Sequence, residues 1–247
     1  MTRPKDFSDT AVLASPIEAV LFDLDGTLLD SAAAVAAVLG RALADEGLAA
    51  LPVDTVRTLI GHGAAVLVQR ARACLDLPPD AAAEGRLLAA YLSHYALMLS
   101  TGNLPAVPAY PGAATGLRAL HARGLRLGVV TNSPRAIATT LLQRAGLSAW
   151  VEVVIGGDGG LPRKPAPDPL WFACDSLGVS TGKALMVGDS AVDIQSARAA
   201  GLPVVCVTYG YTEGADPAAL PCDAFVDSLA YLPALIDAQF AHAAAIG

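Results

Sequence analysis

The sequence predicts an α/β protein, with a Rossmann-like parallel sheet core and an inserted all-helical cap. Two observations carry this prediction. After residue 110, helical patterns alternate with short, almost wholly apolar segments, as in a parallel sheet that is covered on both faces. Before that point, residues 31–110 hold helical patterns and no convincing strand. We therefore assign residues 1–30 and 111–247 to the core, and residues 31–110 to the cap with its hinge segments.

The first strand and the cap come first along the chain. The mostly apolar run from Ile17 to Phe22 predicts a strand, because it ends at an Asp-Gly turn signal. A helix over 32–46 follows, with Ser31 as its N-cap and Gly47 as its stop. Three further cap helices are expected over residues 53–60, 64–75 and 81–99. The proline-rich segment 105–112 is expected to be the hinge that returns the chain to the core.

The core segment repeats one rhythm of helix and strand. Helices are expected at 113–123, from Pro134 onward, at 168–177 and at 191–200. Strands are expected at 125–131, 151–155, 184–187 and 203–208. Each strand segment is short and apolar without alternation, so we expect both faces of the sheet to be buried.

Composition and charge exclude several classes of partner. The 247-residue chain carries a formal net charge of −7, which disfavours nucleic acid and anionic membrane as partners but permits a local phosphate site. The stretch between Arg86 and Arg118 lacks Asp, Glu, Lys and Arg, but prolines interrupt it, so no membrane span is expected. The first 15 residues are expected to form a loose tail rather than a signal peptide. The sequence gives no prediction of oligomeric state.

Cysteine and histidine usage points to a reducing compartment and against zinc. The four cysteines have no CxxC spacing, which indicates reduced thiols in a cytoplasmic protein. The four histidines are scattered and form no zinc-binding pattern.

Two carboxylates, Asp23 and Asp25, stand directly after the first strand. A buried anion must be paired or must bind a metal, so carboxylates at the edge of a core are costly. Taken alone, this segment is equally well interpreted as a solvated Asp-Gly turn.

Other polar residues follow the remaining predicted strands. Thr131 and Asn132 follow the second strand, Lys164 lies in the loop after the third, and Asp189 and Asp193 follow the fourth. Ligands bind at this edge of open parallel sheets, so we expect these side chains to form one site. Each has a structural alternative as a helix cap, a solvated lysine or a turn, but their joint occurrence favours function.

The residue types at these positions suit a phosphate and a divalent cation. Asp23 and Asp189 are hard oxygen donors that could share one Mg²⁺. Lys164 is a compact positive charge suited to a phosphoryl group. Thr131 adds a hydroxyl donor, and the helix opening at Pro134 presents free N–H groups to an anion. No P-loop motif occurs, so nucleotide hydrolysis of that type is not expected.

At these residues the chain resembles the haloacid-dehalogenase superfamily. The matching motifs are Asp23-Leu-Asp-Gly-Thr-Leu, Thr131-Asn, Lys164-Pro and Gly188-Asp-Ser-x-x-Asp193. Longer stretches resemble the bacterial phosphoglycolate phosphatases: Ile60-Gly-His-Gly-Ala, Val154-Ile-Gly-Gly-Asp158, Lys164-Pro-Ala-Pro-Asp-Pro-Leu170 and Thr208-Tyr-Gly-Tyr211. Ser133 departs from the pattern, because many relatives have lysine there, and this departure reduces the positive charge near the phosphate.

The resemblance implies a role for each matching residue. Asp23 would attack phosphorus to form an aspartyl-phosphate, and Asp25 would act as general acid and then base. Asp23, Asp189 and the backbone carbonyl of Asp25 would hold Mg²⁺, with Asp193 orienting them. The transferring phosphoryl group would be bound by Thr131, Asn132 and Lys164.

The implied activity is Mg²⁺-dependent hydrolysis of a small phosphorylated metabolite, with 2-phosphoglycolate as the first candidate. A sugar phosphate, muramic acid 6-phosphate, phosphomutase activity and an idle phosphate-binding module remain alternatives. A dehalogenase would not need Asp25, and the cap lacks the lysine that related phosphonatases use.

The turn Gly61-His62-Gly63 would bring His62 to the substrate carboxylate, with Arg70 as the next candidate. A plain turn between two helices is the alternative for this segment.

Overall fold

A computed structural model describes residues 16–238 of the chain. The expected N-terminal tail and the last nine residues of the core segment lie outside this range. Within it, no helix combines the length and apolarity that a membrane span requires.

The cap contains four helices, as predicted. They are α1 (Ala32–Asp45), α2 (Val53–Arg57), α3 (Ala64–Cys74) and α4 (Ala81–Ser100). Helix α2 ends three residues before the predicted boundary at residue 60. The N–H groups of Thr58 and Leu59 bond three residues back, to Thr55 and Val56, so the chain tightens into a turn. A glycine with φ +131°, Gly61, follows this turn.

The predicted capping role of Ser31 is wrong in its chemistry, although α1 does begin after this residue. Ser31 has φ −94° and ψ −5°, which is helical rather than extended, and its buried hydroxyl has no partner among the described residues. The N–H of Ala32 donates instead to the hydroxyl of Tyr211, at 2.9 Å. A core residue therefore caps the first cap helix. Gly47, with φ +70°, ends α1 as predicted.

The core is a six-stranded, wholly parallel sheet in the order β3-β2-β1-β4-β5-β6. Its strands are β1 (Ala19–Phe22), β2 (Arg126–Val130), β3 (Val153–Ile155), β4 (Ala184–Gly188), β5 (Val204–Val207) and β6 (Ala224–Val226). Its helices are α5 (Ala113–Ala122), α6 (Arg135–Arg144), α7 (Asp168–Leu177) and α8 (Ala191–Ala200). The sequence did not predict β6, a three-residue edge strand between Asp223 and Asp227.

Both faces of the sheet are buried, as predicted. On β1, Ala19 and Leu21 join one apolar cluster with residues of α7 and α8. Val20 and Phe22 join the other cluster, which extends through α5 into the cap helices. One continuous apolar core therefore links this face of the sheet to the cap.

The two connections between core and cap run side by side. The N–H of Asp30 donates to the carbonyl of Pro108 at 2.9 Å, and the N–H of Tyr110 donates to the carbonyl of Leu28 at 3.0 Å. An antiparallel bridge between Leu29 and Ala109 joins them. Because the outgoing connection begins just after Asp23 and Asp25, the cap is attached next to the carboxyl end of β1.

Candidate active site

The predicted polar residues meet at the carboxyl edge of the sheet. Strand β1 lies between β2 and β4, so the residue after β1, Asp23, is flanked by the residues that follow those two strands. The chain crosses to opposite sides of β1 to form β2 and β4, which makes this edge the topological switch point where ligands bind in such sheets. The structure thereby brings together Asp23, Lys164, Asp189 and Asp193.

Lys164 lies between two carboxylates. Its Nζ is 2.8 Å from Oδ1 of Asp23 and 2.7 Å from Oδ1 of Asp193. All three side chains are buried, with at most 10% of any of them exposed. Burial alone would lower the pKa of Lys164, but the charges of Asp193 and Asp23 outweigh it and raise this pKa above its ordinary value. The lysine therefore stays charged beside the first strand.

Burial disfavours the charged forms of Asp23 and Asp189. Burial raises the pKa of Asp23 to about 7, although Lys164 opposes the shift. Burial also raises the pKa of Asp189 well above its ordinary value, and the charges of Asp193 and Asp23 add to the effect. A divalent cation shared by Asp23 and Asp189 would offset their negative charge.

The carboxylate geometry fits such a cation. One oxygen each from Asp23, Asp189 and Asp193 lies within 4.8 Å of the other two. Both oxygens of Asp193 are already engaged: Oδ1 by Lys164, and Oδ2 by the N–H and hydroxyl of Ser190 at 3.1 and 2.7 Å. Any of these three carboxylates could contribute an oxygen to a metal, and one or two carboxylates are typical for Mg²⁺.

Asp189 is held in place by two loops that approach it closely. Its Oδ1 accepts a hydrogen bond from the hydroxyl of Thr27 at 2.9 Å, and its Oδ2 accepts one from the N–H of Tyr211. A Cβ added at Gly26 would lie 2.2 Å from Oδ2, and one at Gly210 would lie 2.2 Å from the Asp189 Cβ. Only glycine fits at these two positions, so both loops can close around the carboxylate.

Asp25 faces a different part of the site. Its Oδ2 accepts a hydrogen bond from the Ser133 hydroxyl at 2.7 Å, and its side chain is not in the carboxylate group that could hold a metal. The N–H of Ser133 donates to the Thr131 hydroxyl at 3.1 Å, which leaves the hydroxyl hydrogen of Thr131 free for a ligand.

The side chain of Asn132 joins the cap to the core. Its Nδ2 donates to the carbonyl of Gly61 in the cap and to the carbonyl of Lys164, both at 2.9 Å. Both amide hydrogens are therefore used in holding three loops together, rather than being directed at a ligand as the sequence analysis expected.

His62 and Arg70, the two expected partners for a substrate carboxylate, both pair with a core residue. His62 Nε2 lies 2.7 Å from Oε1 of Glu213, and Arg70 Nη2 lies 3.0 Å from Oε2 of the same side chain. Neither His62 nor Arg70 lines the cavity next to Asp23. Glu213, which was not predicted from the sequence, lies 151 residues after His62 in the loop following β5.

A cavity of about 40 Å³ lies between the core residues that follow the strands and the cap. On the core side Asp23, Asp25, Thr131 and Ser133 line it. The cap contributes apolar side chains, the backbone at the start of α3, and Tyr91 and Tyr95 of α4. Neither tyrosine was predicted as a site residue, although their spacing of four residues indicates that they share one helix face.

Comparisons with known proteins agree with this geometry. A family model described as haloacid dehalogenase-like hydrolase matches residues 17–201. A plasmid-encoded phosphoglycolate phosphatase of Cupriavidus necator is 46% identical over 226 residues, covering 92% of this chain and 96% of that protein. A phosphoglycolate phosphatase of Rhodospirillum rubrum is 46% identical over 200 residues, covering 79% of this chain and 81% of that protein.

A solved structure shows the same fold. It is the crystal structure of a Haemophilus somnus protein described as a predicted phosphoglycolate phosphatase, with a TM-score of 0.79 and 31% identity. The match covers 89% of this chain and 97% of that chain. The family resemblance inferred from the motifs is confirmed.

Proposed function

Because this chain belongs to the haloacid dehalogenase-like hydrolases, we propose that it hydrolyses a small phosphate monoester and that 2-phosphoglycolate is its substrate. One observation carries the proposal: the buried Asp23 carboxylate lines the cavity, 2.8 Å from Lys164, with Asp25 only two residues away. The relatives named as phosphoglycolate phosphatases support the choice of ester.

Asp23 is the nucleophile in this proposal. One of its carboxylate oxygens attacks phosphorus, the bond from phosphorus to the ester oxygen breaks, and an aspartyl-phosphate forms. Lys164 and the Thr131 hydroxyl stabilise the charge that spreads over the transferring group, where positioning and electrostatics supply most of the catalysis. Lys164 is already fixed between Asp23 and Asp193 before any substrate binds.

Asp25 moves the protons. It protonates the leaving oxygen in the first step, and in the second it removes a proton from the water that attacks the aspartyl-phosphate. The hydrogen bond from Ser133 holds its carboxylate at the cavity wall. Asp193 is a positioning residue, because it fixes Lys164 with one oxygen and the start of α8 with the other.

Asp23 and Asp189, with the backbone carbonyl of Asp25, would hold Mg²⁺. When bound, the ion would supply positive charge that offsets the two carboxylates and the phosphoryl oxygens. The chain's own part is to keep these oxygens buried and oriented, which Thr27 does for Asp189 through its hydroxyl.

The size of the cavity supports a small ester. About 10–15 Å³ is enough for one water molecule, so a cavity of about 40 Å³ is small. This favours a two-carbon ester over a sugar phosphate or muramic acid 6-phosphate.

All four cysteines are free, which supports a cytoplasmic location.

The test is phosphate release from a panel of esters. The purified protein is assayed with 2-phosphoglycolate, hexose phosphates and muramic acid 6-phosphate, with Mg²⁺ and with a chelator. We expect the highest kcat/KM for 2-phosphoglycolate, loss of release with the chelator and recovery on adding Mg²⁺. Absence of release from every ester would contradict phosphatase activity, and a higher kcat/KM for a sugar phosphate would contradict the substrate. Conversion of a sugar phosphate to its isomer would indicate a phosphomutase.

A further inference from the structure

The cavity offers no cationic side chain for a carboxylate. Among residues 16–238, its lining includes Asp23 and Asp25 but no lysine, arginine or histidine. Lys164 is held between Asp23 and Asp193 and binds the phosphoryl group in the proposed function, and His62 and Arg70 are paired with Glu213. A substrate carboxylate in this cavity must therefore be bound by uncharged donors.

Two buried tyrosines supply such donors. Tyr91 and Tyr95 lie one turn apart on α4, are 5% and 4% exposed, and both line the cavity. Their rings meet edge to face, with centroids 5.8 Å apart. Neither hydroxyl has a hydrogen-bond partner within the part of the chain that the structure describes. Because both side chains line the cavity, both hydroxyls can donate to a ligand bound there.

The tyrosines are suited to donate rather than to accept. Burial raises the pKa of Tyr91 well above its ordinary value, with further contributions from Tyr95 and Asp25. Burial and the charge of Asp25 raise the pKa of Tyr95 as well. Both phenols therefore keep their protons at neutral pH, and each presents an O–H group to the cavity.

The N-terminus of α3 faces the same space. Gly63 and Ala64 line the cavity, and α3 has no side-chain cap, so its first N–H groups have no partner within the helix. The positive end of the helix dipole favours an anion at this point. Gly63 has φ +84°, and a Cβ there would lie 3.2 Å from the carbonyl oxygen of Asn132, so glycine allows the turn to close onto the core.

We propose that the hydroxyls of Tyr91 and Tyr95, with the N-terminus of α3, form the subsite that binds the carboxylate of the substrate. The inference rests on the proposed function, because it assigns the second anionic group of the ester once Asp23 and Lys164 have taken the phosphoryl group. With this subsite, the cap determines which phosphate ester the protein binds. Apolar neighbours of this subsite, Ile60 and Leu67, would disfavour the additional hydroxyls of a sugar.

The experiment compares two esters that differ only in the carboxylate. The unsubstituted protein and the variants Tyr91→Phe, Tyr95→Phe and the double variant are assayed with 2-phosphoglycolate and with ethyl phosphate. Phenylalanine removes the hydroxyl and keeps the ring packing. The matched control is Tyr231→Phe, because Tyr231 is half-exposed and lies in the α/β domain, outside the cap. Thermal unfolding checks that each variant is folded, and the single variants decide the outcome should the double variant not fold.

The expected result is a selective loss. Because hydrogen bonds to a charged group are the stronger class, each single variant should lower kcat/KM for 2-phosphoglycolate about 10-fold or more, and that for ethyl phosphate less than about 2-fold. Tyr231→Phe should change neither value.

Other outcomes overturn the subsite or the function, and they can be told apart. Equal losses on both esters, or no loss on either, would overturn the subsite while leaving phosphatase activity in place. Release from ethyl phosphate with no preference for 2-phosphoglycolate in the unsubstituted protein would overturn both the subsite and the choice of ester. Absence of release from both esters would overturn the proposed function itself.

Discussion

The hydroxyl of Ser133 donates a hydrogen bond to the carboxylate of Asp25, at 2.7 Å. From the sequence, Ser133 was interpreted only as a serine where many relatives have lysine, which reduces the positive charge near the phosphate. The structure shows what the serine does in that place: it holds the proposed acid–base carboxylate against the cavity wall.

Replacing Ser133 by alanine should slow turnover without weakening binding. Asp25 would lose the donor that orients it, so kcat for 2-phosphoglycolate should fall about 10-fold, in line with the loss of one hydrogen bond to a charged group. KM should change little, and Ser133→Thr, which keeps the hydroxyl, should restore most of the rate. Steady-state kinetics checks this, and an unchanged kcat in Ser133→Ala would show that the hydrogen bond has no part in proton transfer.

Replacing Asp25 by asparagine should separate proton transfer from metal binding. Losing a general acid–base group costs about 10²–10⁴-fold in rate, so kcat for 2-phosphoglycolate should fall in that range. Mg²⁺ should still raise the unfolding temperature of the variant, because the proposed ligand is the backbone carbonyl. An aryl phosphate, whose leaving group needs less protonation, should lose less rate. The same loss for both esters would argue against Asp25 as the acid.

Replacing Lys164 by methionine should destabilise the metal-free protein. Removing one partner of a buried ion pair costs about 3–5 kcal/mol, and here it leaves both Asp23 and Asp193 without a positive partner. Lys183→Met is the matched control, because the Lys183–Glu18 pair has side chains that are 41% and 48% exposed. Its loss should cost less than about 1 kcal/mol. Chemical denaturation measures the free energy of unfolding of both variants. Similar losses of this free energy in the two variants would contradict the role given to Lys164.

Replacing Glu213 by glutamine should weaken closure of the cap. Glu213 pairs with two cap side chains, His62 and Arg70, and each pair is about a third exposed, so the free-energy loss should be of the order of 1 kcal/mol or less. We expect KM for 2-phosphoglycolate to rise about 2-fold to 5-fold, with a smaller change in kcat. Glu152→Gln, which breaks a comparable pair with Arg126 within the core, is the control. A rise of KM in both variants would show that the effect is not specific to the boundary between cap and core.

Three predicted site residues that lie together in the structure share one property. Asp23, Lys164 and Asp189 follow strands, and the parallel arrangement alone brings the carboxyl ends of strands together. The contact between Lys164 and Asp193 follows from that arrangement once α8 begins after β4. Periodicity and turn signals were therefore enough for this part of the site.

The contacts that the sequence did not predict depend on loops or on shared helix faces. Glu213 lies in a loop with no periodic pattern, so its pairing with His62 could not be inferred. Tyr91 and Tyr95 lie in an alanine-rich helix, where aromatic residues at this spacing look like ordinary core residues. Strand β6 has only three residues and is flanked directly by Asp223 and Asp227, so it forms no longer apolar run, whereas the equally short β3 lies within the mostly apolar segment 151–155.

The most direct test of the central claim, that Asp23 is the nucleophile, is phosphate release by the Asp23→Asn variant. The assay uses 2-phosphoglycolate and saturating Mg²⁺, with thermal unfolding measured on the same preparation. The substitution removes one buried charge and keeps the shape of the side chain, so the variant should remain folded. We expect no release above the uncatalysed background, because the amide cannot form the aspartyl-phosphate. Near-normal release by a folded Asp23→Asn protein would contradict the claim.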